Sequence, residues 1–397
     1  MNIRLQRAVD RYVGVPLCAL LSLAHRLRRQ PPASEPPRRI LIILLSELGS
    51  LVHAYPMVAR LKERYPDARV HVLQFARNRE VLDLLGQVPA DNVFTVDDRS
   101  LGRFLGDSLS AIRRLRALDL DVVIDCELFA RVSAVFAALS GAATRVGFHS
   151  HTQEGLYRGS FINRPVLYNP YRHLSQQFLT LASAVESGSR PPAKLPSESL
   201  PTAPPPCAFP EEELARATAQ LHADFPALVD RRLVLVYPGG GPLPVRAWPL
   251  DHYRELCGRL LDDGFAVGVI GLGEDRPLGQ AIVGHCGRPE CVDLTGYTKT
   301  IRHLLMLFHR AALLVANDGG PGQLAALTPM PSLILFGPET PKLYAPLAEH
   351  AHSLYLSFAC SPCLTAYNHR NSPCDGDNQC LKQVLPADVL AKTRELL

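Results

Sequence analysis

Two glycine signatures are missing from this 397-residue sequence. No Gly-Lys-Ser/Thr follows either of its glycine-rich loops, and no Gly-x-Gly-x-x-Gly follows its first strand pattern. The P-loop and the dinucleotide fingerprint are therefore excluded. Cysteine is scarce as well. Ten in a chain of this length cannot form a disulfide scaffold. Cys126 and Cys257 stand in apolar patterns and read as small buried hydrophobes. Low complexity is absent: the 34 prolines and 27 glycines cluster in a few places and read as linkers and turns. Net charge is also low. The total is +4, but residues 1–39 hold eight arginines against Asp10 and Glu35, so the rest of the chain sums to −2. A body of that charge does not suggest nucleic-acid binding.

The basic N-terminal segment contains thirteen uncharged residues, Tyr12 to Ala24. Crossing a bilayer takes roughly 20. His25, Arg26, Arg28 and Arg29 stand where a signal peptide would carry small residues for cleavage. The pattern predicts an amphipathic N-terminal helix lying at an anionic membrane surface. The other reading is a soluble helix packed on the first domain, with Pro16 near its start. Residues 31–37 then read as a linker.

What is present in the body is alternation. Apolar runs at Ile40–Leu45, Val70–Phe75, Asn92–Val96, Asp121–Cys126 and Thr144–Phe148 predict strands. Their continuity fits a parallel sheet covered on both faces. Helical patterns separate them, as at Leu51–Tyr65 and Leu128–Leu139. After a proline-rich stretch, 187–210, the alternation restarts at Leu233–Tyr237, Ala266–Gly271, Cys291–Leu294, Leu313–Ala316 and Ser332–Phe336. Asp251–Asp263 has an apolar stripe of helical period, and Thr300 caps the next helix. The expected fold is α/β, with two Rossmann-like domains facing each other across a cleft. The expected segments are 1–38, 39–186, 187–210 and 211–397.

Four segments carry candidate chemistry. Leu45-Ser46-Glu47-Leu48-Gly49-Ser50 follows the first strand and places a carboxylate, Glu47, in a strand-to-helix turn. It reads either as a functional acid or as a helix cap. Gly239, Gly240 and Gly241 end a strand and let backbone approach a ligand, and Arg246 offers a fork for phosphate. The bland reading is a flexible turn beside a surface arginine. Asn317, Asp318, Gly319, Gly320 and Gln323 lie between a strand and a helix start, where exposed amides suit a diphosphate. Cys360, Cys363, Cys374 and Cys380 read as reduced structural thiols or one labile disulfide, with zinc as the alternative. The Asp-x-Asp pairs Asp119/Asp121 and Asp375/Asp377 read as surface acids.

These segments, in this order, resemble glycosyltransferase family nine, the ADP-heptose transferases of lipopolysaccharide assembly. The resemblance spans about Arg39 to Val384. Ile40–Pro56, Tyr65–Ala68, Trp248-Pro249, Val315–Ala325, Leu335–Pro341 and Cys360–Cys363 carry it. It implies the GT-B fold, with an acceptor domain at 39–186 and a nucleotide-sugar domain with a cysteine-rich tail at 211–397. It also implies inverting transfer without metal or other cofactor. The chain departs from the family pattern in two motifs. Ser50 stands where the usual catalytic Asp would be, and Gly319 and Gln323 replace a Thr and a His. Arg246 replaces a lysine. The first motif is similar to a divergent branch reading Ser-Glu-x-Gly-Ser, which makes Glu47 the expected base. Glu274 and Lys299 are carried over as donor-side residues.

The expectation is a heptosyl- or hexosyltransferase. Its partners would be a nucleotide-diphosphate sugar and a lipopolysaccharide or other lipid-linked glycan, with no nucleic acid. It would be cytoplasmic, peripheral on the inner face of the membrane. A nucleotide-sugar epimerase or hydrolase on the same fold, and a non-catalytic binding member, stand as alternatives.

Overall fold

The computed structural model describes residues 3–27, 36–45, 47–149, 157–187, 199–368 and 370–397. Ser46, Arg28, Arg29, most of the linker at 31–37 and residues 188–198 of the proline-rich stretch lie outside them. The chain divides into two compact units, Met1–Pro201 and Thr202–Leu397.

In place of one N-terminal helix there are two, α1 (Ile3–Tyr12) and α2 (Gly14–Leu27). Pro16 has no amide to give the Tyr12 carbonyl, so the ladder lapses at Val13. The first sheet follows: β1 (Arg39–Ile43), α3 (Leu48–Arg64), β2 (Arg69–Phe75), α4 (Arg79–Leu85), β3 (Val93–Val96), α5 (Leu101–Arg116), β4 (Val122–Asp125), α6 (Arg131–Leu139), β5 (Thr144–Phe148), β6 (Arg164–Val166) and α7 (Leu174–Ser183). Its order is β3-β2-β1-β4-β5-β6, with every pair parallel. Ile40 sits between Val70 and Val122. The apolar runs are continuous because helices cover both faces. On one face α5 and α6 bury Ala111, Leu115, Phe136 and Ala137 against Leu41, Ile43 and Val123.

The second unit repeats the plan: α8 (Glu211–Asp224), β7 (Leu233–Tyr237), α9 (Leu250–Asp262), β8 (Ala266–Gly271), α10 (Arg276–Cys286), β9 (Cys291–Thr295), α11 (Ile301–Arg310), β10 (Leu313–Asn317), α12 (Gly320–Ala325), β11 (Ser332–Phe336), α13 (Pro341–Tyr344), β12 (Ala351–Tyr355), α14 (Gln379–Lys382) and α15 (Pro386–Leu396). The order is β12-β11-β10-β7-β8-β9, again parallel throughout. The expected stripe of α9 is buried, from Tyr253 to Leu261. Thr300 caps α11 by accepting the His303 amide at 3.1 Å. In both sheets the order reverses beside the first strand, between β1 and β4 and between β7 and β10. The crevice at such a reversal, outside the strands' C-terminal ends, is where this architecture binds ligands.

Candidate active site

In the first unit the turn after β1 is pinned from two sides. The Leu45 amide donates to Glu127 Oε1 at 2.6 Å, and Asn78 Nδ2 donates to the Leu45 carbonyl at 3.0 Å. Glu47 occupies the N-cap of α3 in extended conformation, half-buried, and its side chain makes no capping bond to the helix amides. The Ser50 amide donates to the Glu47 carbonyl at 3.1 Å. Across the reversal, Asp125 ends β4 fully buried. It pairs with the buried Arg158 and accepts the Ser133 hydroxyl and the Glu127 amide, each at 3.1 Å. Burial, opposed by Arg158, pushes the Asp125 carboxyl up to about 6. His53 is also buried, with its ring edge-on to His173 at 4.9 Å and Nδ1 unbonded. Burial, with His173 beside it, holds His53 well below the usual histidine range. It is therefore neutral.

The second unit gathers a charged cluster at the β7–β10 reversal. The backbone of Gly239–Gly241 leaves β7. A Cβ on Gly239 would lie 2.9 Å from the Tyr237 ring and from Asp275 Oδ1, and Gly241 has φ +57°, so both positions demand glycine. Arg246 is nearly buried. Its Nη2 reaches Glu339 Oε1 at 2.6 Å, and its Nε lies 3.6 Å from Asp318 Oδ2. Arg370 Nε approaches the same Glu339 oxygen at 3.3 Å, and its guanidinium lies over the Tyr344 ring. Burial, opposed by Arg246, pushes the Glu339 carboxyl up to about 7, and burial raises that of Asp318 too. The two acids hold the Arg246 guanidinium firmly charged. Arg246 Nε and Asp318 Oδ2, both buried, lack hydrogen-bond partners among the described residues. The cluster thus holds a fixed positive fork with unfilled bonding capacity.

The structure revises other assignments. Asn317 is not a free donor-side group. Its Oδ1 accepts the Trp248 amide and the Tyr253 hydroxyl, and its Nδ2 donates to the Pro238 and Gly239 carbonyls, all at 2.9–3.1 Å. Every bonding position is filled, so Asn317 ties the end of β10 to both ends of the β7–α9 connection and to α9. Gln323 is buried, with Nε2 on the Tyr344 carbonyl at 2.6 Å. Lys299 is exposed and bonds its own loop at Gly296 O, 2.5 Å. Glu274 is exposed in the turn after β8. The four C-terminal cysteines are free thiols: Cys360 is exposed, Cys363 and Cys374 are half-buried, and Cys380 faces the core. Among the described residues no three His, Cys, Asp or Glu side chains come together to hold a metal ion. Asp121 caps the Arg38 and Arg39 amides at the opposite, N-terminal edge of its sheet, and Asp377 pairs with Lys382.

Sequence reasoning missed Asp125, Glu127, Arg158, Glu339 and Arg370. The Asp-Cys-Glu ending of β4 was a usable signal, since acids seldom end a buried parallel strand without purpose. Arg370 gave none, because it reaches the cluster from an irregular loop.

Comparison with known proteins agrees with this architecture. Residues 108–372 match the model of glycosyltransferase family 9 (heptosyltransferase). Lipopolysaccharide heptosyltransferase 2 of Salmonella typhimurium is 25% identical over 369 residues, covering 90% of this chain and 98% of the relative. The solved E. coli ADP-heptose lipopolysaccharide heptosyltransferase II superposes with a TM-score of 0.68 at 22% identity, covering 90% of this chain and 98% of that one. E. coli heptosyltransferase WaaC, solved with ADP, gives 0.64 at 17% identity, covering 90% and 100%. None of the described helices is long and apolar enough to cross a membrane. With the family model covering well over half of the chain and the double Rossmann fold in place, this protein belongs to glycosyltransferase family 9 and is a glycosyltransferase of the heptosyltransferase type.

Proposed function

We propose that the chain transfers a heptose or similar sugar from a nucleotide diphosphate to a lipopolysaccharide or other lipid-linked glycan. The transfer inverts the anomeric centre, needs no divalent metal, and takes place at the inner face of the cytoplasmic membrane. The observation that carries this reading is Arg246, a nearly buried guanidinium beside the Gly239–Gly241 backbone at a strand-order reversal. In this mechanism Arg246 and the amides of Gly239–Gly241, Gly319 and Gly320 hold the donor diphosphate. Glu47 takes the proton from the acceptor hydroxyl as its oxygen attacks the anomeric carbon from the side opposite the diphosphate. The bond from that carbon to the diphosphate oxygen breaks, and the charge moves onto a leaving group that Arg246 steadies. Metal independence is supported by the placement of Asp119 and Asp121 at the N-terminal edge of their sheet, away from the ligand edge.

Calorimetry of the intact protein with ADP, UDP and GDP tests the donor site. Binding of at least one, abolished by Arg246→Ala, is expected. No binding of any removes the assignment. Turnover that disappears in chelator and returns with manganese or magnesium would overturn the metal-independent mechanism.

A further inference from the structure

We propose that the helical side of the first unit, α1–α2 together with α5, forms one docking surface for anionic lipid, which extends the membrane reading above and rests on it. α5 and α6 lie on the same face of the sheet. α2 packs on α6 through Cys18 against Ala134 and Ala138, a different side of α6 from Phe136 and Ala137, which face the sheet. Val132, Val135 and Leu139 of α6 are left half-buried. The outer sides of these helices all belong to one side of the unit.

That side is apolar in rows. On α5, Leu101, Leu105 and Leu109 recur every fourth residue and are 47%, 54% and 56% exposed. On α2, Leu20, Leu23 and Leu27 are 66%, 56% and 80% exposed, and Tyr12 and Val13 precede them. Single exposed leucines are ordinary, but rows on two helices of one face mark a surface that something covers.

The charge pattern selects the occupant. These helices and α6 contain two carboxylates in all, and both are engaged within the protein. Asp10 accepts the Arg131 and Val132 amides and pairs with Arg131, and Asp107 accepts the Asp97 amide. The cations face outward: Arg11 and Arg26 on the N-terminal pair, and Arg113 and Arg116 in the last turn of α5, where Arg114 instead lies over the Phe94 ring. Among the described residues no carboxylate pairs with Arg26, Arg113 or Arg116. An apolar surface whose own helices expose only positive charge repels a second copy of itself. It matches a layer of acyl chains beneath anionic headgroups.

Sedimentation with sucrose-loaded vesicles of phosphatidylserine and phosphatidylcholine tests this on the full chain. Each arginine near such a surface is worth about fivefold in partitioning at low salt. Arg113→Glu/Arg116→Glu and Leu105→Ser/Leu109→Ser should each weaken partitioning at least about tenfold, with melting temperature and ADP binding unchanged. Leu20→Ser/Leu23→Ser should do the same. If only the α2 variant loses vesicles, the composite surface is wrong and the N-terminal membrane reading stands. If wild type ignores anionic vesicles, both fall. A concentration-dependent dimer that the α5 variants abolish, without vesicle binding, would assign the face to self-association instead.

Discussion

A carboxylate at the first position of a helix ordinarily bonds the free amides there. Glu47 holds that position on α3 and makes no such bond, so its carboxylate does not serve as the helix's cap. Glu47→Gln should cut acceptor-dependent turnover at least about 100-fold with donor binding intact, and Ser50→Ala much less, because an alcohol is a poor base near neutral pH. A Glu47→Gln enzyme that keeps wild-type turnover per folded molecule would show that another group takes the proton. Glu339 carries a second expectation at this scale. With a folded value of about 7 against 4.5 for the free carboxyl, it holds its proton more tightly in the folded protein, so stability falls as pH rises from about 4.5 through 7. Ligand binding follows the same titration. Below about 7 the neutral Glu339 carboxyl no longer competes for Arg246. ADP affinity should therefore rise between about pH 8 and 6.5, and Glu339→Gln should flatten the profile. A titration showing affinity falling over that range would refute this. The glycines and Arg246 were legible because loops after strands announce themselves. Glu339 was not, since its meaning lies in burial beside two arginines, which no local pattern records.

At the scale of elements, α6 depends on a distant helix. Its N-cap, Ala130, has no side chain to offer, and Asp10 from α1 supplies the missing acceptor for two amides while neutralising the buried Arg131. Removing one partner of a buried pair costs about 3–5 kcal/mol, and a cap alone about 1. Asp10→Ala should therefore lower the stability of the first unit by a few kcal/mol, seen as a reduced denaturant midpoint. A midpoint equal to wild type would show that α1 does not seat α6. The central strands were readable because a strand buried on both faces is a continuous apolar run. β6 was not, being only Arg164-Pro165-Val166, too short for any period. β12, Ala-His-Ser-Leu-Tyr, is a half-buried edge strand with mixed residues, and it too escaped. The outward leucines of α5 blurred its apolar stripe in the same way.

At the scale of the molecule, the double Rossmann plan was legible because the same alternation restarts after a proline-rich stretch. The second N-terminal helix was not, since a thirteen-residue uncharged run does not show where its ladder breaks. In both units the first strand made is the central one, and later strands add outward on either side. The N-terminal pair does not share that convenience. About 100 residues separate Leu27 from Arg131, so at about 5–20 residues per second α1 and α2 leave the ribosome some 5–20 s before α6 exists to receive them. During that interval Cys18, destined for the core, is as uncovered as Leu20. On the proposed lipid-docking surface, the nascent chain is expected to be at its stickiest toward lipid then, with adsorption preceding completion of the first sheet. Ribosome-bound chains arrested near residue 110 should already float with anionic vesicles. Chains arrested there that stay with the unbound ribosomes would place membrane contact after folding.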